Sequence, residues 1–243
     1  MTMVRSLLLA LPLLVSVEAW PAIQVGSGGS FSLGAGQLDL AGGDLRIDGQ
    51  FDVAGATVRN VGTVVINGGL DGGTGRLEVW GNWINRGSFS AGGGEIQLLD
   101  SVGQPSQILG QSIFSSLSLT STAGGRFVFE SGAEQRVVGT LTILGLDGMP
   151  IQVESTAPPQ PAFLWLDPNG AQSISNVGVS NVHATGQRLA PDQTNQGGAG
   201  NDLGWFGQVM EAIPVPALSI IGLLFLGLML LMFGNVHSYL RQG

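Results

Sequence analysis

The sequence predicts an all-β fold, a parallel β-helix, with an N-terminal signal peptide and one C-terminal transmembrane helix. Three observations carry this expectation. Between Gln24 and about Gly186 no helical period appears, and short alternating triplets recur between Gly, Asn and Asp. The triplets recur every six or seven residues, so every third one returns to the same face. The two ends of the chain are apolar in different ways, one short and one long enough to span a bilayer.

At the start, MTMVRSLLLALPLLVSVEAW places Arg5 before an apolar stretch from Leu7 to Val15 and a small-residue pattern at Val17-Glu18-Ala19. This is the layout of a secretory signal peptide over residues 1–19, and it predicts cleavage after Ala19. The alternative is an uncleaved anchor, against which the short apolar stretch argues.

The body, residues 20–190, reads as the solenoid. Triplets begin at Leu38, Leu45, Phe51, Val58, Val64, Leu70, Leu77, Trp83, Phe89 and Ile96. They sort into three faces: Leu38, Val58, Leu77 and Ile96; Leu45, Val64 and Trp83; Phe51, Leu70 and Phe89. Three short strands per coil make a β-helix, in which each coil buries its inward side chains only against its neighbours. Period two puts the middle residue of each triplet outside, so Asp39, Arg59, Glu78 and Gln97 form an expected outward ladder of alternating sign. After Ile96 the coils become irregular, although strand-like runs continue, the last from Ser173 to Val182. A β-sandwich is the alternative that short strands with turn signals also allow.

Residues 191–212 read as a Gly-rich linker, and 213–243 as a sorting motif, a transmembrane helix and a short cytoplasmic end. Val215 to Val236 holds no charged residue, and 22 residues reach about 33 Å at a helical rise. Arg241 beyond the span orients the C-terminus toward the cytoplasm.

Composition narrows the function. The formal charge is −8, with nine Arg and no Lys, so no basic face is available for nucleic acid. There is no Cys, and the expected mature chain has only His183 and His237, so no triad or thiol chemistry is legible. Asp39, Asp44, Asp48 and Asp52 are spread around one coil by the triplet spacing. An enzyme is not expected, nor is a cofactor or a resident metal.

The candidate binding residues are few. Trp80, in Trp80-Gly81-Asn82-Trp83, falls outward or at a corner, where an indole face could stack on a sugar, whereas Trp83 falls inward. Asp52 and Asp71 stack as like charges on the third face, a weak calcium candidate. Asp202 lies in Gly197-Gly198-Ala199-Gly200-Asn201-Asp202-Leu203-Gly204-Trp205, one copy of a calcium nonapeptide that needs tandem copies to work, so a turn-rich segment capping the last coil is the preferred reading.

Two resemblances follow. Ile213-Pro214-Val215-Pro216-Ala217-Leu218-Ser219, with the apolar span and Arg241, resembles the IPTL-type C-terminal sorting tails of Gram-negative bacteria, relatives of exosortase-processed tails. That resemblance implies delivery to the cell envelope, with the body on the periplasmic or extracellular side and a sorting or processing protease as partner. Ile220-Ile221 stands where the family carries Trp, and removal and retention of the tail both stay open. Trp80-Gly81-Asn82-Trp83-Ile84-Asn85-Arg86-Gly87-Ser88-Phe89 resembles the repeats of adhesin-like bacterial surface solenoids. Together they imply a non-enzymatic envelope protein presenting a β-solenoid for adhesion or matrix contact. The alternative is a glycan-binding or glycan-cleaving β-helix that takes a surface polysaccharide.

Overall fold

The computed structural model describes residues 22–100 and 103–207. The expected signal peptide, the sorting motif from Ile213 to Ser219 and the expected membrane span lie outside the described residues. Within them the protein is a parallel β-solenoid of about eight turns, built from strands with no helix.

The strands form three walls. The first runs β3 (Gln37–Asp39), β6 (Thr57–Val61), β9 (Arg76–Val79), β12 (Glu95–Leu99), β14 (Ser112–Thr120) and β16 (Glu134–Leu144). The second runs β1 (Ile23–Val25), β4 (Leu45–Ile47), β7 (Val64–Ile66), β10 (Trp83–Asn85), β13 (Ser106–Leu109), β15 (Arg126–Phe129), β17 (Ile151–Ser155) and β20 (Val177–Ser180). The third holds β2 (Ser30–Ser32), β5 (Gln50–Asp52), β8 (Gly69–Asp71) and β11 (Ser88–Ser90), and its hydrogen-bonded ladder ends there. Beyond β16 the sheet divides. Strands β18 (Ala162–Leu166) and β21 (Val182–Gly186) continue from its first part, and β19 (Ala171–Ser175) from its second.

All the paired strands are parallel, which excludes the antiparallel sandwich. Each expected stack occurs as a direct neighbour pairing. Leu38, Val58, Leu77 and Ile96 follow one another in the first wall, Leu45, Val64 and Trp83 in the second, and Phe51, Leu70 and Phe89 in the third. Inward positions such as Leu45, Ile47, Val64, Ile66 and Trp83 are completely buried, so the hydrophobic gain comes from coil stacking on coil.

The outward ladder keeps two of its expected steps, Asp39 beside Arg59 and Glu78 beside Gln97, and loses the one between Arg59 and Glu78. The pairing of β6 with β9 shifts between Val58 and Val61, where Asn60 takes a left-handed φ of 52°. This bulge separates Arg59 from Glu78. Arg59 turns back to Asp39 at 3.1 Å, while Glu78 pairs with Arg76 at 3.2 Å. Arg76 also lies 3.6 Å from Glu95 and donates to Gln97.

The later coils are longer because strands bend. Val64 to Trp83 is nineteen residues, but Trp83 to its next partner Ile108 is twenty-five. Strand β14 shifts register against β16 between Phe114 and Ser116, so its first part turns into the third wall. There Phe114 packs on Phe89 with ring centroids 5.6 Å apart. A polar cluster closes the break: Ser112 Oγ accepts from Trp83 Nε1 at 3.0 Å and from Asn85 Nδ2 at 3.1 Å. Gln135 accepts from the Ser112 amide at 3.1 Å and donates to the Gly110 carbonyl at 2.6 Å. The expected run from Ser173 to Val182 is three strands, cut at Asn176 and Asn181, which adopt φ of 51° and 56° and turn the corners.

Residues 191–207, the described part of the expected linker, form a closing turn in the same compact unit as the coils. Ser180 bridges to Gly200 and Leu189 to Trp205. Trp205 is completely buried and Phe206 nearly so, which covers the apolar end of the last coil.

Candidate functional site

The acidic residues singled out from the sequence serve the corners. Asp52 and Asp71 are direct neighbours in the third wall. Each carboxylate accepts a hydrogen bond from the main-chain amide two residues on, Ala54 at 2.7 Å and Gly73 at 2.9 Å. Asp39 does the same with Ala41 at 2.9 Å. Ala41, Ala54 and Gly73 all have positive φ, so each Asp caps a tight left-handed turn with its own side chain. Ser32 Oγ donates to the second oxygen of Asp52 at 2.9 Å.

Asp202 belongs to the closing turn. Its carboxylate accepts from Asn195 Nδ2 at 2.7 Å, and Asn195 also accepts from the Val179 and Gly198 amides at 2.9 and 3.0 Å. Among the described residues no three His, Asp or Glu side chains converge as a metal-binding group. His183 meets Asn201 Oδ1 at 3.1 Å and the ring of Phe163 edge-on.

Two carboxylates are held below the usual Asp range. For Asp39 the largest cause is the hydrogen bond from Asn60, followed by the Ala41 amide, with Arg59 contributing less. For Asp48 the donors are Asn67, Arg46 and Gln24 in that order. Glu154 raises Arg126 by hydrogen bonding and charge.

Trp80 is 40% exposed and stands at the edge of the first wall, one place beyond the Val79–Leu98 pair. It therefore lies beside Leu99, which pairs with Thr120, which pairs in turn with Leu144. These four positions occupy successive coils, and at a strand spacing of about 4.8 Å they span about 14 Å. A groove of about 270 Å³ follows this column, lined by Trp80, Leu99, Asp100, Thr120, Ser121 and Leu144 among others. Ser121 Oγ donates to Asp100 at 2.9 Å while accepting from the Ala123 and Gly125 amides at 3.1 and 2.7 Å, which fixes the floor.

The groove borders a flat uncharged surface. Outward positions on β14 are Ser116, Ser118 and Thr120; on β16 they are Thr140, Thr142 and Leu144; on β19 they are Ala171, Ser173 and Ser175. Ser118 is nearly covered, and the others keep partial or full exposure. The cluster around Arg76, Glu78 and Glu95 lies on the earlier coils of the same wall. Sequence reasoning singled out Trp80 but not Thr120, Leu144 or the hydroxyl rungs. The legible signal was the pattern Ser-x-Ser-x-Thr at 116–120, repeated as Thr-x-Thr at 140–142 and Ser-x-Ser at 173–175.

The chain matches no family model, no curated protein and no solved structure.

Proposed function

We propose that the chain is an exported, non-enzymatic protein of the cell envelope of a Gram-negative bacterium. Its C-terminal tail anchors or sorts it, and its solenoid makes adhesive or matrix contacts on the periplasmic or extracellular side. The observation that carries this reading is the uncharged surface of Ser116–Thr120, Thr140–Leu144 and Ala171–Ser175 beside the Trp80 groove. A rigid ordered face of this kind suits contact with a large surface. The non-enzymatic part is supported by how the carboxylates are used, since Asp39, Asp52 and Asp71 cap turns and Asp48 ties neighbouring coils. The tail supplies the address: a sorting motif from Ile213 to Ser219 for a processing protease, an apolar span and a cytoplasmic end.

Cell fractionation of the full-length chain and of a form ending at Gly207 tests the reading, with mass spectrometry of both ends. The full-length chain is expected with the envelope membranes, or released with a trimmed C-terminus, whereas the shortened form is free in the periplasm. Untrimmed full-length chain soluble in the periplasm overturns the anchoring and sorting role.

A further inference from the structure

We infer that the Trp80 groove binds a neutral polysaccharide, laid across the strand ends from Trp80 toward Leu144. This rests on the contact-surface reading and names its ligand. The groove joins the three kinds of group that recognise an uncharged sugar chain. Trp80 offers an indole that is 40% exposed, a platform for the apolar face of a ring. Thr120 and Thr122 supply hydroxyls that both donate and accept, above the floor that Ser121 fixes. Leu144 and Leu146, 38% and 44% exposed, make the opposite apolar wall.

Charge selects among polymers. Among the described residues lining the groove, Asp100 is the one ionisable group, and it is already engaged by Ser121. With no cation among those lining residues and a chain charge of −8, an acidic polymer would meet repulsion without a compensating partner. A neutral chain meets hydroxyls with hydroxyls and loses no ionic hydration. Its direction follows from the column, because Leu99, Thr120 and Leu144 repeat along the solenoid axis at the coil spacing. An oligosaccharide of a few rings fits the roughly 14 Å between Trp80 and Leu144.

The test is titration of the full-length chain in detergent micelles with dextran, a soluble neutral β-glucan and alginate, read by tryptophan emission and by isothermal calorimetry. At least one neutral polymer is expected to bind and alginate not to. Binding should change little between about 50 and 500 mM salt, a range over which screening would weaken an ion pair at the surface, because no ion pair contributes. Trp80→Ala should weaken it about tenfold or more, as lost aromatic stacking does. Leu144→Asp, an exposed change that leaves the core intact, should weaken it similarly with an unchanged melting temperature. Failure of both neutral polymers, stronger binding of alginate, or full binding by folded Trp80→Ala and Leu144→Asp variants overturns the inference. A chain that fractionates with the envelope yet binds neither neutral polymer loses the ligand and keeps the tether.

Discussion

Asn67 donates a 2.7 Å hydrogen bond to the carboxylate of Asp48 from one coil further on, while Gln24 reaches the same carboxylate from one coil before at 3.2 Å. Arg46, on the strand leading into that corner, adds a third donor at 3.0 Å. One ionised side chain thus ties three successive coils at the N-terminal end.

That tie makes the first coils acid-sensitive. The folded-state pKa of Asp48 lies below the ordinary 3.8, as does that of Asp39. A depressed carboxylate contributes stability that is present above the unfolded value and lost as pH falls through the folded one. The melting temperature should therefore hold from pH 7 to about 5 and drop below about 4, where unfolded Asp takes up its proton. Hydrogen exchange should rise first in residues 23–66, and Asp48→Asn should lower stability at neutral pH and flatten the acid transition.

A second outcome concerns the corner before the third wall. A Cβ placed on Gly68 would lie 2.0 Å from the Gly49 carbonyl oxygen, and one on Gly87 would lie 2.1 Å from that of Gly68. The obstacle is main chain of the adjacent coil, which cannot swing aside. Gly68→Ala should cost about 1–3 kcal/mol or more in urea unfolding, as overpacking does. The same change at exposed Gly26, with nothing near its Cβ position, should be close to neutral.

Ser112 gives a third. Its hydroxyl accepts from both Trp83 and Asn85 where the third-wall ladder ends. Ser112→Ala leaves the buried Trp83 Nε1 without an acceptor, whereas Asn85 Nδ2 keeps the Gln111 carbonyl at 2.8 Å, and should cost about 1–3 kcal/mol. Trp83→Phe in that background should recover part of the loss, because it removes the stranded donor, and a double-mutant cycle measures this.

The closing turn gives a fourth. Trp205 is fully buried against the last coil and bridges to Leu189. Trp205→Ala should destabilise by about 3–5 kcal/mol and raise binding of a hydrophobic dye. Loss of protection should begin in β20 and β21.

The first four coils were legible because their inward residues keep strict period two between regular turns, so Leu45, Val64 and Trp83 fall at equal spacing. Trp80 was placed outward by the same count from buried Leu77. The Asp39–Arg59 pair was legible from the ladder, but the loss of the next step to Glu78 was not, since Asn60 within Thr57–Val61 looks like any other corner residue until the left-handed φ creates the bulge. The groove was hidden for a different reason. Trp80, Leu99, Thr120 and Leu144 are separated by 19, 21 and 24 residues, so no fixed period connects them. Their meeting depends on where β14 and β16 bend, which backbone packing decides.

The break after β11 also divides the molecule into a part whose length is adjustable and a part whose length is fixed. A further nineteen-residue coil inserted between Val64 and Trp83 would repeat contacts already present on both sides, and would lift the N-terminal end by one strand spacing. No such unit can be added between β14 and β16, since each bends from one wall into the next and their shared register shift admits one partner. The first half therefore behaves as a spacer of variable reach up to the coil that carries Trp80, and the second as the fixed mount that sets Leu99, Thr120 and Leu144 beside it.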